Sequence, residues 1–240
     1  MAKTDIKNKA KAQQEQANEL LENPDVIADR LGRGEAYLKK NSKIVGGLII
    51  AVILVIAGIL FFQINRANKN ERAQAEMFQA VYYWEQDELD LALNGDGDNV
   101  GLLYIVDEYP GTDAANLAHF YIGSAYLSEG NFQGAIDHLK NFSSSDFFVQ
   151  ARAYALLGDA YMELDNTSDA IRNYKKAADY KENKFFTPRY LNKLAIAQEE
   201  AGDISAAIST YETIENEYFE SYEYTAARKH KARLEGLASR

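Results

Sequence analysis

Cysteine is absent from the 240-residue chain. That excludes disulfides, thiolate metal sites, cysteine nucleophiles and a Cys-attached bacterial lipid anchor. The absence names no redox compartment. Histidine is scarce: His119, His138 and His230 lie far apart, with no second His or Cys at ligand spacing. Neither a Gly-rich phosphate loop nor a nucleophile elbow occurs. Positive charge is short as well. Residues 1–43 carry nine Lys/Arg against seven Asp/Glu, but residues 63–240 carry seventeen against twenty-nine, a net −12. Phosphate contacts need a basic surface, so the acidic body is no nucleic-acid binder.

What the chain does have is a long apolar run. From Ile44 to Phe62, nineteen consecutive residues are drawn only from Ile, Val, Leu, Ala, Gly and Phe. At about 1.5 Å per residue, a helix of this length nearly matches the roughly 30 Å hydrocarbon core of a bilayer. A buried soluble helix would show a polar stripe, and this run has none. A cleaved signal would need a short basic start and small residues at the cut, whereas the exit here is the bulky "ILFFQINR". The expectation is an uncleaved transmembrane helix over 44–64. Five Lys/Arg in residues 30–43 against three in 65–79 place the N-terminus in the cytoplasm by the positive-inside rule. Gly47, Ala51 and Gly58 fall near one helix face and are candidates for contact with a partner helix, although small residues are common in membrane spans anyway.

Ahead of the run, "KTDIKNKAKAQQEQANELLE" is charged and weakly periodic, which predicts a mobile or marginal helix. In "ENPDVIADRL", Asn23 can cap a helix, Pro24 suits its first position and Asp25 favours its positive end. Gly32 and Gly34 are expected to break it. A short helix lying on the lipid surface is the simpler reading, with a cytoplasmic partner contact as the alternative.

The acidic body repeats with a period near 35. "AHFYIGSAYLSEGNFQGAIDHL" (118–139) aligns without a gap on "AYALLGDAYMELDNTSDAIRNY" (153–174), so that Gly123, Tyr126 and Ala135 fall on Gly158, Tyr161 and Ala170. A third copy, "NKLAIAQEEAGDISAAISTY" (192–211), puts Ala195 and Ala207 in register with a spacing two residues longer. Each copy reads as a helical hairpin with small residues where its helices cross, and stacked hairpins bury what one alone cannot. The pattern resembles the tetratricopeptide repeat. It departs from that family where His119, Tyr154 and Leu191 stand at the Trp position, and the closing Pro is missing from all three copies. A degenerate pair precedes them, with "ERAQAEMFQAVYYWEQDELDLAL" as one helix and "NVGLLYIVDEYPGT" holding the other; the first would run straight on from the membrane helix. "SYEYTAARKHKARLEGLA" (221–238) reads as a capping helix with Arg228, Lys229 and Lys231 on its exposed side.

In "DGDNVG", Gly101 suits a calcium loop. Val100 brings no side-chain oxygen and Asp107 stands where Glu is wanted, so the string reads as a turn, with Asn99 capping the next helix. Carboxylate pairs such as Glu199/Glu200 are solvated faces, and no set of residues closes into a catalytic arrangement. Tyr82, Tyr83, Trp84, Tyr218, Phe219, Tyr222 and Tyr224 gather outside the best-matched repeats, where core packing and interface are equal readings. The resemblance implies a concave groove lined by the first helix of each repeat: Phe120, Ser124 and Leu127, then Ala155, Asp159 and Met162, then Asn192, Ile196 and Glu199. The Lys/Asn/Arg carboxylate clamp of co-chaperone repeats is missing, which favours an extended or helical segment with apolar side chains.

The expected fold is all-α: a single N-terminal transmembrane helix followed by a tetratricopeptide-repeat α-solenoid. Residues 1–43 form a cytoplasmic tail, 44–64 the membrane helix, 65–113 a linker helix and degenerate repeat, 114–217 three repeats and 218–240 a cap. This layout, and "ALNGDGDNVGLLYIVDEYPGTDAANLAHFYIGSAYL" (92–127) in particular, is similar to YfgM-type ancillary subunits of the bacterial SecYEG translocon, Bacteroidota forms above all. That resemblance implies a non-enzymatic protein of the bacterial inner membrane, with no cofactor and no metal, whose repeat domain is periplasmic. The implied partners are the SecYEG translocon and a membrane-anchored parvulin-type periplasmic chaperone. A scaffold for another envelope complex, in division or outer-membrane assembly, is the alternative.

Overall fold

A computed structural model describes residues 24–238, which form eleven helices and no strand beyond one isolated bridge, Gly95 to Val100. The chain divides into two units, Met1–Ile64 and Asn65–Arg240. The proposed Asn23 cap and the Gln-rich segment before it lie outside the described residues.

In the first unit, α1 spans Pro24–Lys40 and passes unbroken through Gly32 and Gly34, contrary to the sequence expectation. Each glycine costs about 1 kcal/mol against alanine, which alone does not end a helix. Ion pairs one turn apart flank them, Asp29 with Arg33 and Glu35 with Lys39, both at 2.7 Å. The helix α2, Ser42–Glu85, begins in this unit. Its most apolar 18-residue window has a mean hydropathy of 3.1 and buries nothing. By length and composition this helix can cross a membrane. Gly47 and Gly58 have open space beside them, and Ala51 is exposed.

In the second unit, the part of α2 after Ile64 changes character. Ala73, Met77 and Ala80 are buried at helical spacing, on one face. Polar side chains tie this stretch to the start of the repeats. Asn70 accepts a hydrogen bond from the Ala114 backbone N–H at 2.9 Å, Tyr109 donates to Glu76 at 2.9 Å, and Arg66 pairs with Asp113 at 3.0 Å. The helix stops at Glu85 instead of running to Leu93. Asp87 turns the backbone to φ 63°, and a short α3, Leu89–Asn94, follows. The short α4, Leu102–Glu108, returns beside it. Gly101 lies against the Leu93 carbonyl so closely that any Cβ would collide with it.

Three helical hairpins follow: α5 (Asp113–Ser128) with α6 (Phe132–Asn141), α7 (Phe147–Glu163) with α8 (Thr167–Asp179), and α9 (Thr187–Glu200) with α10 (Ile204–Glu217). Their turns share one construction. Gly130, Asp165 and Gly202 take positive φ (80°, 56° and 78°), closing the first helix of each hairpin. The next residue, Asn131, Asn166 or Asp203, sends its N–H five residues back, to Tyr126, Tyr161 or Gln198. The same side chain then caps the second helix by accepting from the third residue on, Gly134, Asp169 or Ala206. A single residue thus ends one helix and starts another, so the register recurs.

At each crossing the small residues do what the alignment expects. A Cβ on Gly123 would meet Leu139 Cγ at 2.5 Å, and one on Gly158 would meet the Tyr174 ring at 2.5 Å. Ala195 and Ala207 are fully buried in the third hairpin. The helix α11, Tyr224–Ala238, covers the end of the stack, with Ala227 and Leu234 buried against α10. Lys231 is not on its exposed side as expected: its side chain is 19% exposed and bonds Glu215 at 2.8 Å.

Candidate functional site

The nine groove positions do not form one open surface. Phe120, Ser124 and Ala155 are 7%, 8% and 4% exposed, so they are packing residues and are unavailable to a ligand. The Phe120 ring meets Tyr121 edge-on and Phe142 at a tilt, in a core cluster shared by the first two hairpins. Leu127, Met162 and Asn192 are partly exposed, and Ile196 is 38% exposed. The Asn192 side-chain carbonyl is buried and accepts no hydrogen bond.

The two acidic members, Asp159 and Glu199, are committed to the protein itself. Tyr174 of α8 donates its hydroxyl proton to Asp159 at 2.6 Å, and Lys193 of α9 reaches the same oxygen at 2.7 Å. Glu199 of α9 accepts from Tyr211 of α10 at 2.8 Å, and from Arg233 of α11 on its other oxygen. Each carboxylate therefore joins the two helices of its own hairpin to the element that follows. Burial, with the Asp159 charge beside it, pushes the Tyr174 hydroxyl far above its ordinary pKa of 10.0. Burial and the Glu199 hydrogen bond do the same to Tyr211. For Glu199, burial alone would raise the pKa. The bonds from Tyr211 and Arg233, and the charges of Arg233 and His230, outweigh that and hold it below 4.5.

Sequence reasoning assigned these carboxylates to a groove and missed the device. Its signal was present: Tyr174 and Tyr211 each follow the buried alanine, Ala170 or Ala207, by four residues. The cations Lys193 and Arg233 each follow their carboxylate by 34 residues.

The fold also pairs two histidines that sequence separation had set apart. His119 of α5 and His138 of α6 bring their Nδ1 atoms to 3.1 Å, and the Tyr126 ring packs edge-on against His138. Burial depresses both pKa values; the His138 charge adds to the effect on His119, while Asp137 and Asp107 partly counter it on His138.

The acidic turn closes on itself. Asp96 accepts from the backbone N–H groups of Asp98 and Asn99 at 2.9 and 2.6 Å. Its other oxygen takes the Asn99 amide at 3.0 Å and the Tyr83 hydroxyl at 2.5 Å. Asn99 therefore caps no helix; Gly101 stands at the start of α4 without a side-chain cap. Among the described residues, no three His, Cys, Asp or Glu side chains are grouped to hold a metal.

The aromatic group divides. Tyr83 and Trp84 pack against the first core cluster and Tyr218 against the last, whereas Tyr82, Phe219 and Tyr222 are 50%, 61% and 99% exposed.

Among curated proteins, none matches the chain. Residues 155–218 match the tetratricopeptide repeat family, a stretch running from within α7 to just past α10. The first hairpin lies outside the matched stretch but shares its turn construction and its small-residue crossing. No catalytic family is indicated. Over its described residues the chain is all-helical, with a stretch, residues 155–218, similar to tetratricopeptide repeats and one helix apolar enough to cross a membrane by length and composition.

Proposed function

We propose that the protein is a non-enzymatic, single-pass scaffold of the bacterial inner membrane, with its N-terminus in the cytoplasm and its repeats in the periplasm. There it works at the exit of the Sec translocon, linking SecYEG to a membrane-anchored parvulin-type chaperone. One observation carries this reading: the exposed apolar stretch of α2 continues, in the same helix, into residues that pack as part of the repeat body. A repeat body that follows a membrane-spanning stretch in the same chain suits a partner fixed in the membrane.

Leu127, Met162 and Ile196 remain the candidate groove contacts, and Gly47, Ala51 and Gly58 the candidate contacts within the membrane. Purification of the tagged protein from native membranes in mild detergent is expected to recover SecY and a periplasmic chaperone. Recovery of division or outer-membrane assembly factors in their place would move the scaffold to another envelope complex.

A further inference from the structure

Lysine and arginine side chains cover aromatic rings throughout the repeat body. Lys140 lies over Tyr161, Lys176 over Tyr154, Lys181 over Tyr180, Lys193 over Tyr174 and Arg228 over Tyr224, all between 5.5 and 5.8 Å from the ring centre. Among the described rings without such cover, three line one cleft. Phe185, ahead of α9, and Phe219 and Tyr222, between α10 and α11, are 81%, 61% and 99% exposed. They border a cleft of about 600 Å³.

Three carboxylates share the lining of that cleft, Glu217, Glu220 and Glu223, and none of them forms an ion pair among the described residues. Lys184 and Arg189 also line it but lie over none of its rings. No cation of the chain lies over these three rings or pairs with these three carboxylates among the described residues. Exposed aromatic surface of this kind marks a binding site. A ring face beside a carboxylate is the environment that holds an ammonium or guanidinium best.

We propose that this cleft is a docking site for a basic, apolar peptide segment of a partner protein. Arginine or lysine side chains of the segment lie over Phe219 and Tyr222 and pair with Glu217, Glu220 and Glu223, while its apolar side chains cover Phe185. The net −12 of residues 63–240 steers such a segment toward this body. The site is separate from the groove positions on α5, α7 and α9 and does not depend on the translocon reading.

The test uses the full chain in neutral detergent micelles and a fluorescein-labelled peptide alternating Arg and Leu, with a Glu/Leu peptide as control. The Arg/Leu peptide is expected to bind with a salt-dependent affinity, and the control to bind far more weakly. The double change Phe219→Ser with Tyr222→Ser is expected to weaken binding by about tenfold, the loss of one or two cation–ring contacts. The triple change to Gln at Glu217, Glu220 and Glu223, made on the intact rings, is expected to weaken binding and flatten its salt dependence. Both sets of side chains are exposed or half-buried, and an unchanged melting curve for each variant confirms its fold. Equal binding of the two peptides, or unchanged affinity in both variants, overturns the proposal. Ring-dependent dimers in sedimentation, with no peptide binding, would overturn it as well and make a second copy the occupant.

Discussion

The first two hairpins align residue for residue, yet they are sealed by different chemistry. In α5–α6, Gly123 receives the aliphatic Leu139, and the polar contact between the helices is the His119–His138 pair, which stays within the hairpin. In α7–α8, Gly158 receives the ring of Tyr174, whose hydroxyl binds Asp159, and Asp159 in turn binds Lys193 of the next hairpin. One seal is self-contained and the other couples neighbours. The third hairpin repeats the coupling type through Tyr211, Glu199 and Arg233. A nearest-neighbour stack of repeats depends on such interface terms as much as on the stability of each unit. The comparison therefore assigns the strongest polar coupling to the part of the stack after α6.

Overpacking the two crossings breaks the comparison most severely. Gly158→Leu and Gly123→Leu each force a side chain into space already filled, at a cost of about 3 kcal/mol. The loss should be greater at Gly158. Tyr174 presents a rigid ring pinned through its hydroxyl, whereas Leu139 is an aliphatic side chain with no such tether. Urea unfolding of the full chain in detergent, followed by far-UV circular dichroism, measures both. Adding Tyr174→Ala to Gly158→Leu should restore part of the loss, because the new leucine then occupies the vacated ring space. An equal loss at the two glycines, with no rescue, would mean that the surrounding backbone, and not the Tyr174 ring and its tether, sets the cost.

The coupling itself is tested by Tyr174→Phe and Tyr211→Phe, which keep the rings and delete one hydrogen bond to a charged, partly buried carboxylate. Each should cost about 1–2 kcal/mol. In a double-mutant cycle, Tyr174→Phe with Lys193→Met should be non-additive, since both groups act on one oxygen of Asp159. Combining Tyr174→Phe with His138→Gln, across hairpins that share no such contact, should be additive. Additivity in the first cycle would reduce the device to two independent surface contacts.

How much of this was legible beforehand follows from what sets each feature. The hairpins were readable because their signals are local. A positive-φ residue followed by Asn or Asp marks the turn, and Gly, Tyr and Ala at fixed offsets mark the crossing. The apolar run was readable because a polar residue within nineteen positions would have declared itself. The degenerate first pair misled because "YYWEQDELDLAL" contains no Gly or Pro; the break at Asp87 is imposed by packing α3 and α4 against α5 and leaves no composition signal. Groove positions were misassigned where a family rule about helix faces stood in for contacts. The same rule left Asp159 and Glu199 free when a tyrosine at a constant repeat position already claimed each. The histidine pair shows the converse: nineteen residues of separation spans one hairpin turn and becomes 3.1 Å in space.

That pair provides the gentlest test. Both imidazoles have native pKa values below the ordinary 6.5, burial being the first cause. The unfolded chain therefore binds more protons than the native one just below pH 6.5. Stability from this source is fully present above about pH 6.5 and is lost as pH falls through the lower native values. Asp137 and Asp107, which favour charged His138, moderate the loss. Glu199 and Glu215, held below 4.5 by their partners, lose their contribution only at more acid pH, so the two windows separate. The chain's one tryptophan, Trp84, has its ring 5.0 Å from that of Tyr121 on α5 and reports on the first hairpin by fluorescence. Lowering the pH from 7.5 to 5.5 should lower the melting temperature read at Trp84 by a few degrees. His119→Phe should flatten that dependence, because it removes the depressed titration of His119 itself, to which burial and the His138 charge contribute. Hydrogen exchange over α7–α8, which contains no histidine, should respond less than over α5–α6 across the same range. An equal response in the two hairpins would mean that the first is as strongly coupled to its neighbour as the second, and the contrast between their seals would lose its energetic content.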